Sequence, residues 1–301
     1  MASEKVRIVS DGSCDLGAEI ARSRDITVVP FYVSFDSITY QKEIEELEVR
    51  EFYRKMVENP TVFPKTSMPS VDDYYRVFER SAKDGESVIC ICITAKFSGS
   101  LQSAVTARDM ILEEYPDAVI TVIDSILDTV LQGLYVLEAC RLRDLGWEYE
   151  RMVSRLLEIR ESGRIFFTVG SIDYLKHGGR IGKLAGLAGS ALKIKPIITL
   201  KEGEIFNSGI VRNRQKSMKK VIELLGEFFD EREVKPGEYS FCIGYGYDYE
   251  EACGFKEMLA EPVRERLGID DIMVHQIGAT IGVHTGPYPL GVGIIKRGDV
   301  L

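Results

Sequence analysis

Histidine is scarce in this chain of 301 residues: His177, His275 and His284 are the only three. They form no H-E-x-x-H and no other metal-like spacing, so no histidine-built metal centre is implied. Cysteine occurs six times but never as C-x-x-C. The tightest pair, Cys90 and Cys92, lies in an apolar run of strand length, where residues two apart share a face. These cysteines read as buried free thiols acting as small hydrophobes. Basic charge is also short: 38 Lys and Arg stand against 47 Asp and Glu, for a net charge of −9. A general nucleic-acid or anionic-membrane surface needs clustered cations and is not expected. No apolar run approaches the ~20 residues of a membrane span, and the start, MASEKVRIVSDGS, has no apolar signal region. The expectation is a reduced, cytoplasmic protein.

Several nucleotide and catalytic signatures are missing as well. Gly178-Gly-Arg-Ile-Gly182-Lys183 has neither the spacing nor the hydroxyl of a P-loop, and Gly244-Tyr-Gly246 lacks the third glycine of a dinucleotide fingerprint. No G-x-S-x-G elbow is present. A nucleophile, base and orienting group cannot be named together, and no cofactor or metal is implied.

What is present is a repeating strand, polar loop and helix. Val6–Ser10 reads as a strand ending in Asp11-Gly-Ser13, whose Asp and Ser can cap the next helix. Ile26–Phe35 reads as one strand, followed by an acidic amphipathic helix over Glu45–Glu58. Ser87–Ile93 is the continuous apolar run of a buried parallel strand, leading to Thr94-Ala95-Lys-Phe-Ser98 and a helix over Leu101–Glu114. Val119–Ile123 is closed by Asp124-Ser125 and a helix over Leu127–Arg143. This alternation predicts a parallel sheet with helices on its faces. Ligands bind such sheets at the C-terminal strand edge, where Asp11/Ser13, Thr94/Ser98 and Asp124/Ser125 all fall.

After a soft boundary the pattern changes. The predicted organisation is an N-terminal α/β domain over 1–160 and a smaller, mixed-sheet α/β domain over 161–301. In the second, Ile172–His177 is a short helix stopped by Gly178-Gly179, a pair that helix capping accounts for, and Arg180 is left unexplained. Lys183–Leu192 reads as a helix of small residues. Lys195–Leu200 and Glu204–Val211 form a hairpin, and Arg212, Arg214, Lys216, Lys219 and Lys220 make a basic stretch after it. A charge run is usually a solvated face, though against an acidic background it can steer an acidic partner. Ile277–Gly293 is rich in glycine, holds Pro287 and Pro289, and carries His284 followed by Thr285. It reads as a sharp bend, either a catalytic loop or a tight turn between strands. Thr66-Ser67, ahead of the helix over Val71–Lys83, displays two hydroxyls with no structural duty apart from an ordinary turn.

Taken in order, Asp11–Leu16, Thr66–Ser70, Thr94–Ser103, Asp124-Ser125, Tyr174–Gly182, Lys195-Pro196 and Gly282–Pro287 resemble the motifs of the DegV family. That family includes the FakB-type subunits of bacterial fatty-acid kinase. The resemblance implies two α/β domains with a long-chain fatty acid, such as palmitate, between them. It places the carboxylate on Thr66, Ser67, Thr94, Ala95 (through its N–H), Ser98 and His284. Asp11, Ser13, Asp124, Ser125, Arg180 and Thr285 would stand around that site, and Arg212 and Arg214 would dock a fatty-acid kinase. The implied protein is a binding subunit, not itself an enzyme. Two other readings stay open: a hydrolase or transferase with His284 as base, and a lipid reservoir or sensor without a kinase. Ala95, Tyr288 and Pro289 depart from the family pattern, and the last two are expected to narrow the head-group end or alter a lid.

Overall fold

Ser87–Cys92, the continuous apolar run, is buried at every position in the computed structural model, which describes residues 5–187 and 194–300. The chain begins β1 (Val6–Asp11), α1 (Gly17–Ser23), β2 (Ile26–Val29), β3 (Tyr32–Ser34), β4 (Gln41–Lys42), α2 (Val49–Glu58), β5 (Lys65–Ser67) and α3 (Val71–Lys83). It continues β6 (Ser87–Cys92), α4 (Ser100–Glu114), β7 (Ile120–Asp124), α5 (Thr129–Asp144) and α6 (Tyr149–Ile159). Then come β8 (Arg164–Thr168), α7 (Asp173–His177), β9 (Lys195–Lys201), β10 (Glu204–Val211) and α8 (Arg214–Glu231). The last elements are β11 (Tyr239–Tyr245), α9 (Tyr249–Leu267), β12 (Met273–Gln276), α10 (Ala279–Thr285) and β13 (Leu290–Lys296).

Strands β2-β1-β6-β7 form a four-stranded sheet with every pairing parallel. Both its faces are covered, which is why its strands do not alternate in polarity. Val9, Cys90 and Cys92 point to one side and pack on Tyr74, Phe78 and Ala104 of α3 and α4. Ile8, Ile89 and Ile91 point to the other and pack on α5. All six thiols are free, and only Cys253 is not fully buried. The second sheet is mixed, with order β10-β9-β8-β13-β11-β12. Its one face packs on α8 and α9 through Val221, Leu225, Phe255 and Leu259. The opposite face shares a hydrophobic cluster with α5 and the parallel sheet, running from Ile8 through Leu131 to Ile198 and Ile295. Helix α5 therefore lies between two sheets and is buried nearly all round.

Four stretches differ from their sequence expectation. The strand expected over Ile26–Phe35 is broken at Pro30, which has no N–H for a ladder. Ile26–Val29 joins the parallel sheet, whereas Tyr32–Ser34 enters a small antiparallel sheet of order β4-β3-β5. That sheet pairs Val33 with Thr66 and Tyr32 with Ser67, so the two hydroxyl residues sit on a strand, not in a turn. The expected sharp bend around His284 is instead the helix α10. Of the expected helix Lys183–Leu192, Gly182–Leu187 is a 3-10 turn and 188–193 lie outside the described residues.

The carboxylate of Asp11, at the end of β1, does not cap the turn that follows it. It accepts from Ser13 Oγ at 2.6 Å, Gln132 Nε2 at 2.8 Å, the Ile93 N–H at 3.0 Å and Ser100 Oγ at 2.7 Å. Burial nevertheless pushes its pKa up, against the pull of these donors. Asp11→Ala removes the shared acceptor of all four: the buried Ile93 N–H loses its partner, and Ser13, Gln132 and Ser100 keep only Gln132 Oε1, Ser10 Oγ and the Tyr74 hydroxyl. The variant is expected to lose at least about 3 kcal/mol of stability in urea unfolding. A loss below about 1 kcal/mol would show that the node is dispensable.

Candidate functional site

The C-terminal ends of the parallel strands, the small sheet, α7 and α10 surround a cavity of about 300 Å³. Most of its wall is apolar, from Phe31, Ile93, Phe167, Leu175, Ile205 and Ile281. Thr66, Ser67, Ser98, Arg180 and His284 bring polar atoms to the lining. They belong together at one end. Thr66 Oγ1 and His284 Nε2 are 3.3 Å apart, in a hydrogen bond whose direction follows the imidazole tautomer. Arg180 bonds the Phe97 carbonyl through Nε and Nη2 at 3.1 and 2.9 Å, beside Ser98. Met68 lies over Gly99, where an added Cβ would meet its sulfur at 2.7 Å.

Each of these groups has a local origin. Thr66 and Ser67 are set by pairing with β3. Ser98 accepts from the Ser100 N–H at 3.2 Å at the start of α4, so the positive end of a 15-residue helix opens on the same place. Arg180 follows the α7 turn, and its Nη1 donates to the Gly178 carbonyl at 2.6 Å. Among the described residues no carboxylate pairs with Arg180. Its guanidinium is exposed and held by the Phe97 and Gly178 carbonyls at the edge of the cavity.

His284 ends α10, whose N-terminus is held by the buried carboxylate of Glu43. That group accepts from the Thr280 N–H at 3.1 Å and Thr280 Oγ1 at 2.7 Å, and from the Phe31 N–H at 3.2 Å. His284 Nδ1 is buried with no hydrogen-bond partner among the described residues. It faces Gly178, where an ideal Cβ would stand 2.1 Å from Nδ1. Gly178 has φ −75°, so its glycine is demanded by the imidazole and not by a capping conformation. Burial first, and the Arg180 charge second, push the His284 pKa down to about 4.

The other residues singled out by sequence are placed differently. Thr94 Oγ1 donates to the Gly203 carbonyl at 3.2 Å, and the Ala95 N–H to Asp124 Oδ1 at 3.4 Å. Neither lines the cavity, because the loop turns them toward the β9–β10 hairpin and the end of β7. Asp11 and Ser13 are off the cavity too, but they hold Ile93, which lines it. Asp124 accepts from the Ile126 N–H at 2.9 Å and Ser125 Oγ from the Leu127 N–H at 3.1 Å, so both shape the β7 turn. Thr285 lines the cavity with its hydroxyl already donated to the Ile281 carbonyl at 3.0 Å. Arg214 is engaged by Glu251 through two bonds of 2.7 and 2.6 Å, whereas Arg212 is exposed. Tyr288 is a surface residue packed edge-on to Tyr247 and is not in the cavity lining, while Pro289 lines a small second chamber of about 30 Å³. That chamber shares Asp128, Phe167, Ile281 and Thr285 with the main cavity, and Val130, Ile165, Ile277 and Leu290 make its wall apolar. Sequence reading missed Asp128 and Glu43. Asp128 precedes a helix and is disguised as a cap, and no local pattern connects Glu43 to Thr280.

A sequence model of the DegV family, described as uncharacterised proteins, matches residues 5–297. A DegV domain-containing protein of Clostridium perfringens is 33% identical over 291 residues, covering 96% of this chain and 97% of the relative. Among solved structures, a stearic-acid-binding protein from Eubacterium ventriosum is similar with TM-score 0.91 and 42% identity, over 98% of this chain and 100% of the other. DegV from Bacillus subtilis, a fatty-acid-binding protein, gives TM-score 0.84 at 26% identity, over 98% and 100% of the two chains.

The depressed pKa of His284 has a definite sign. Its folded value lies below the ordinary 6.5, so the neutral form contributes stability above that pH, and the contribution is lost as pH falls toward about 4. In the ligand-free protein, NMR of the imidazole nitrogens is expected to show a midpoint near pH 4. The unfolding free energy attributable to His284, by comparison with His284→Gln, should fall over the same window. A midpoint at or above 6.5 would contradict the burial described.

Proposed function

The chain belongs to the DegV family, and we propose that it binds a long-chain fatty acid in the described cavity, carboxylate toward Arg180 and His284. The observation that carries this reading is the Arg180 guanidinium, paired with no carboxylate among the described residues, set with His284 and the Thr66, Ser67 and Ser98 hydroxyls on a cavity whose wall is mostly apolar. The fatty acids named for structurally similar proteins agree with it. For a sixteen-carbon acid, about 14 methylenes at ~0.8 kcal/mol each give on the order of 11 kcal/mol of gross burial before ordering costs. The tail thus dominates affinity. The head group must be paired, because a buried lone carboxylate is very costly. Hydroxyl O–H groups, the imidazole Nε2–H and the guanidinium are all donors, and charge-assisted bonds are the stronger kind.

The geometry favours binding over hydrolysis or group transfer. A catalytic base is normally oriented by a third group, and His284 Nδ1 has none among the described residues. A pKa pushed down to about 4 also makes it a weak base near neutrality. We extend the reading to presentation of the acid to a separate kinase that phosphorylates the carboxylate. The family resemblance and the exposed, cationic start of α8 support this. Arg212 is its contact residue, since Arg214 is held by Glu251.

Mass spectrometry of organic extracts from the purified protein is expected to recover a long-chain acid. Recovering none, even after exposure to fatty acids, would reject the binding reading. Arg180→Leu and His284→Ala should each weaken binding of stearic acid about tenfold or more, the size of one charge-assisted bond. Arg212→Glu is expected to keep lipid binding and abolish kinase-dependent phosphorylation. Undiminished phosphorylation in that variant would remove α8 from the docking surface.

A further inference from the structure

Four acids are buried near this site, and three have hydrogen-bond donors. Asp11 has four, Glu43 accepts from Phe31 and Thr280, and Asp15 accepts from Thr129 Oγ1 at 2.6 Å through Oδ2, although its Oδ1 has no partner among the described residues. Asp128 alone of the four has no donor to either oxygen among the described residues. It stands at the N-cap of α5, yet its side chain caps nothing, and its Oδ1 is buried with no hydrogen-bond partner among the described residues. Only 9% of the residue is exposed. Asp128 lines both the main cavity and the second chamber, and so stands where the two meet. Desolvation alone pushes its carboxyl up to about 7.

A polymethylene chain laid past this position leaves the carboxyl unpaired in either protonation state, which is unfavourable. A hydroxyl on the chain removes the defect in both states: it donates to the carboxylate and accepts from the carboxylic acid. A keto oxygen pairs only with the acid form. A second carboxylate on the ligand would face Asp128 and the neighbouring Asp15, whose charges already act on each other. The junction position matters, because the apolar chamber of about 30 Å³ lined by Val130, Ile165 and Leu290 adjoins it and has room for the end of a chain. We infer that the cavity is suited to a long-chain acid bearing a hydroxyl part way along its chain, with Asp128 as the partner of that hydroxyl. This deepens the fatty-acid reading above and rests on it.

The test is competition between stearic acid and a series of hydroxystearic acids substituted at successive positions, on the delipidated full chain. At least one isomer is expected to bind about tenfold more tightly than stearic acid, the worth of pairing one buried polar group. In Asp128→Leu the same isomer should bind more weakly than stearic acid, because its hydroxyl is then the orphan. Asp128→Asn, which keeps a hydrogen-bonding side chain of equal size, should retain the preference. Thermal unfolding of each variant establishes that it is folded. If every isomer binds no more tightly than stearic acid, or if the preference survives Asp128→Leu, the inference is overturned. Failure of stearic acid itself to bind the wild-type chain would overturn the fatty-acid reading, and this one with it.

Discussion

Convergence of four donors on the buried carboxylate of Asp11 is the constraint from which the rest of the molecule follows. One side chain at the end of β1 ties together the end of β6, the start of α4 and the first turn of α5. Those segments supply Ile93 to the cavity wall and the start of α4 to its polar end. Helix α5 in turn separates the two sheets and presents Asp128 at its own beginning. The protein thus spends a buried acid, ordinarily costly, on fixing the relative positions of loops that apolar packing alone would leave free to slide.

The candidate site divides two tasks between two kinds of surface. The apolar wall offers nondirectional burial that tolerates many chains, as hydrophobic contacts do. The polar end is directional. Thr66 arrives on a short strand, Ser98 at a helix start, Arg180 after a turn and His284 at a helix end, and each is held by contacts of its own. Little reorganisation is left for the moment when an anion arrives, which is the advantage of preorganised donors. Asp128 belongs to neither task, being a polar group within the nondirectional part.

Much of this was legible in the sequence, and unevenly so. The buried run Ser87–Cys92, the helix Val71–Lys83 and the β9–β10 hairpin are local patterns, and they formed as local physics requires. His284, Thr66, Ser98 and Arg180 were all singled out and all reach the cavity lining. What could not be read was direction. Thr94 and Ala95 share a loop with Ser98, but tertiary contacts with Gly203 and Asp124 turn them away. Pro30 split one expected strand between two sheets, and the glycines around His284 concealed a helix. They serve close packing there: a Cβ on Gly282 would strike the Phe52 ring at 2.6 Å. Long-range pairs such as Glu43 with Thr280, 237 positions apart, leave no trace in any window of sequence.

The place of β13 has a consequence for how the chain is made. This is the last strand of the mixed sheet to leave the ribosome, yet it lies inside the sheet, between β8 and β11. Until Leu290–Lys296 emerge, the native pairings open to the nascent chain are confined to two part-sheets, β10-β9-β8 and β11-β12, each with an unpaired edge of the kind that invites misassociation. Helix α10 with His284 emerges only moments earlier. Closure of the sheet and completion of the cavity are therefore parts of one late event in biogenesis, and a chain stalled before it has neither.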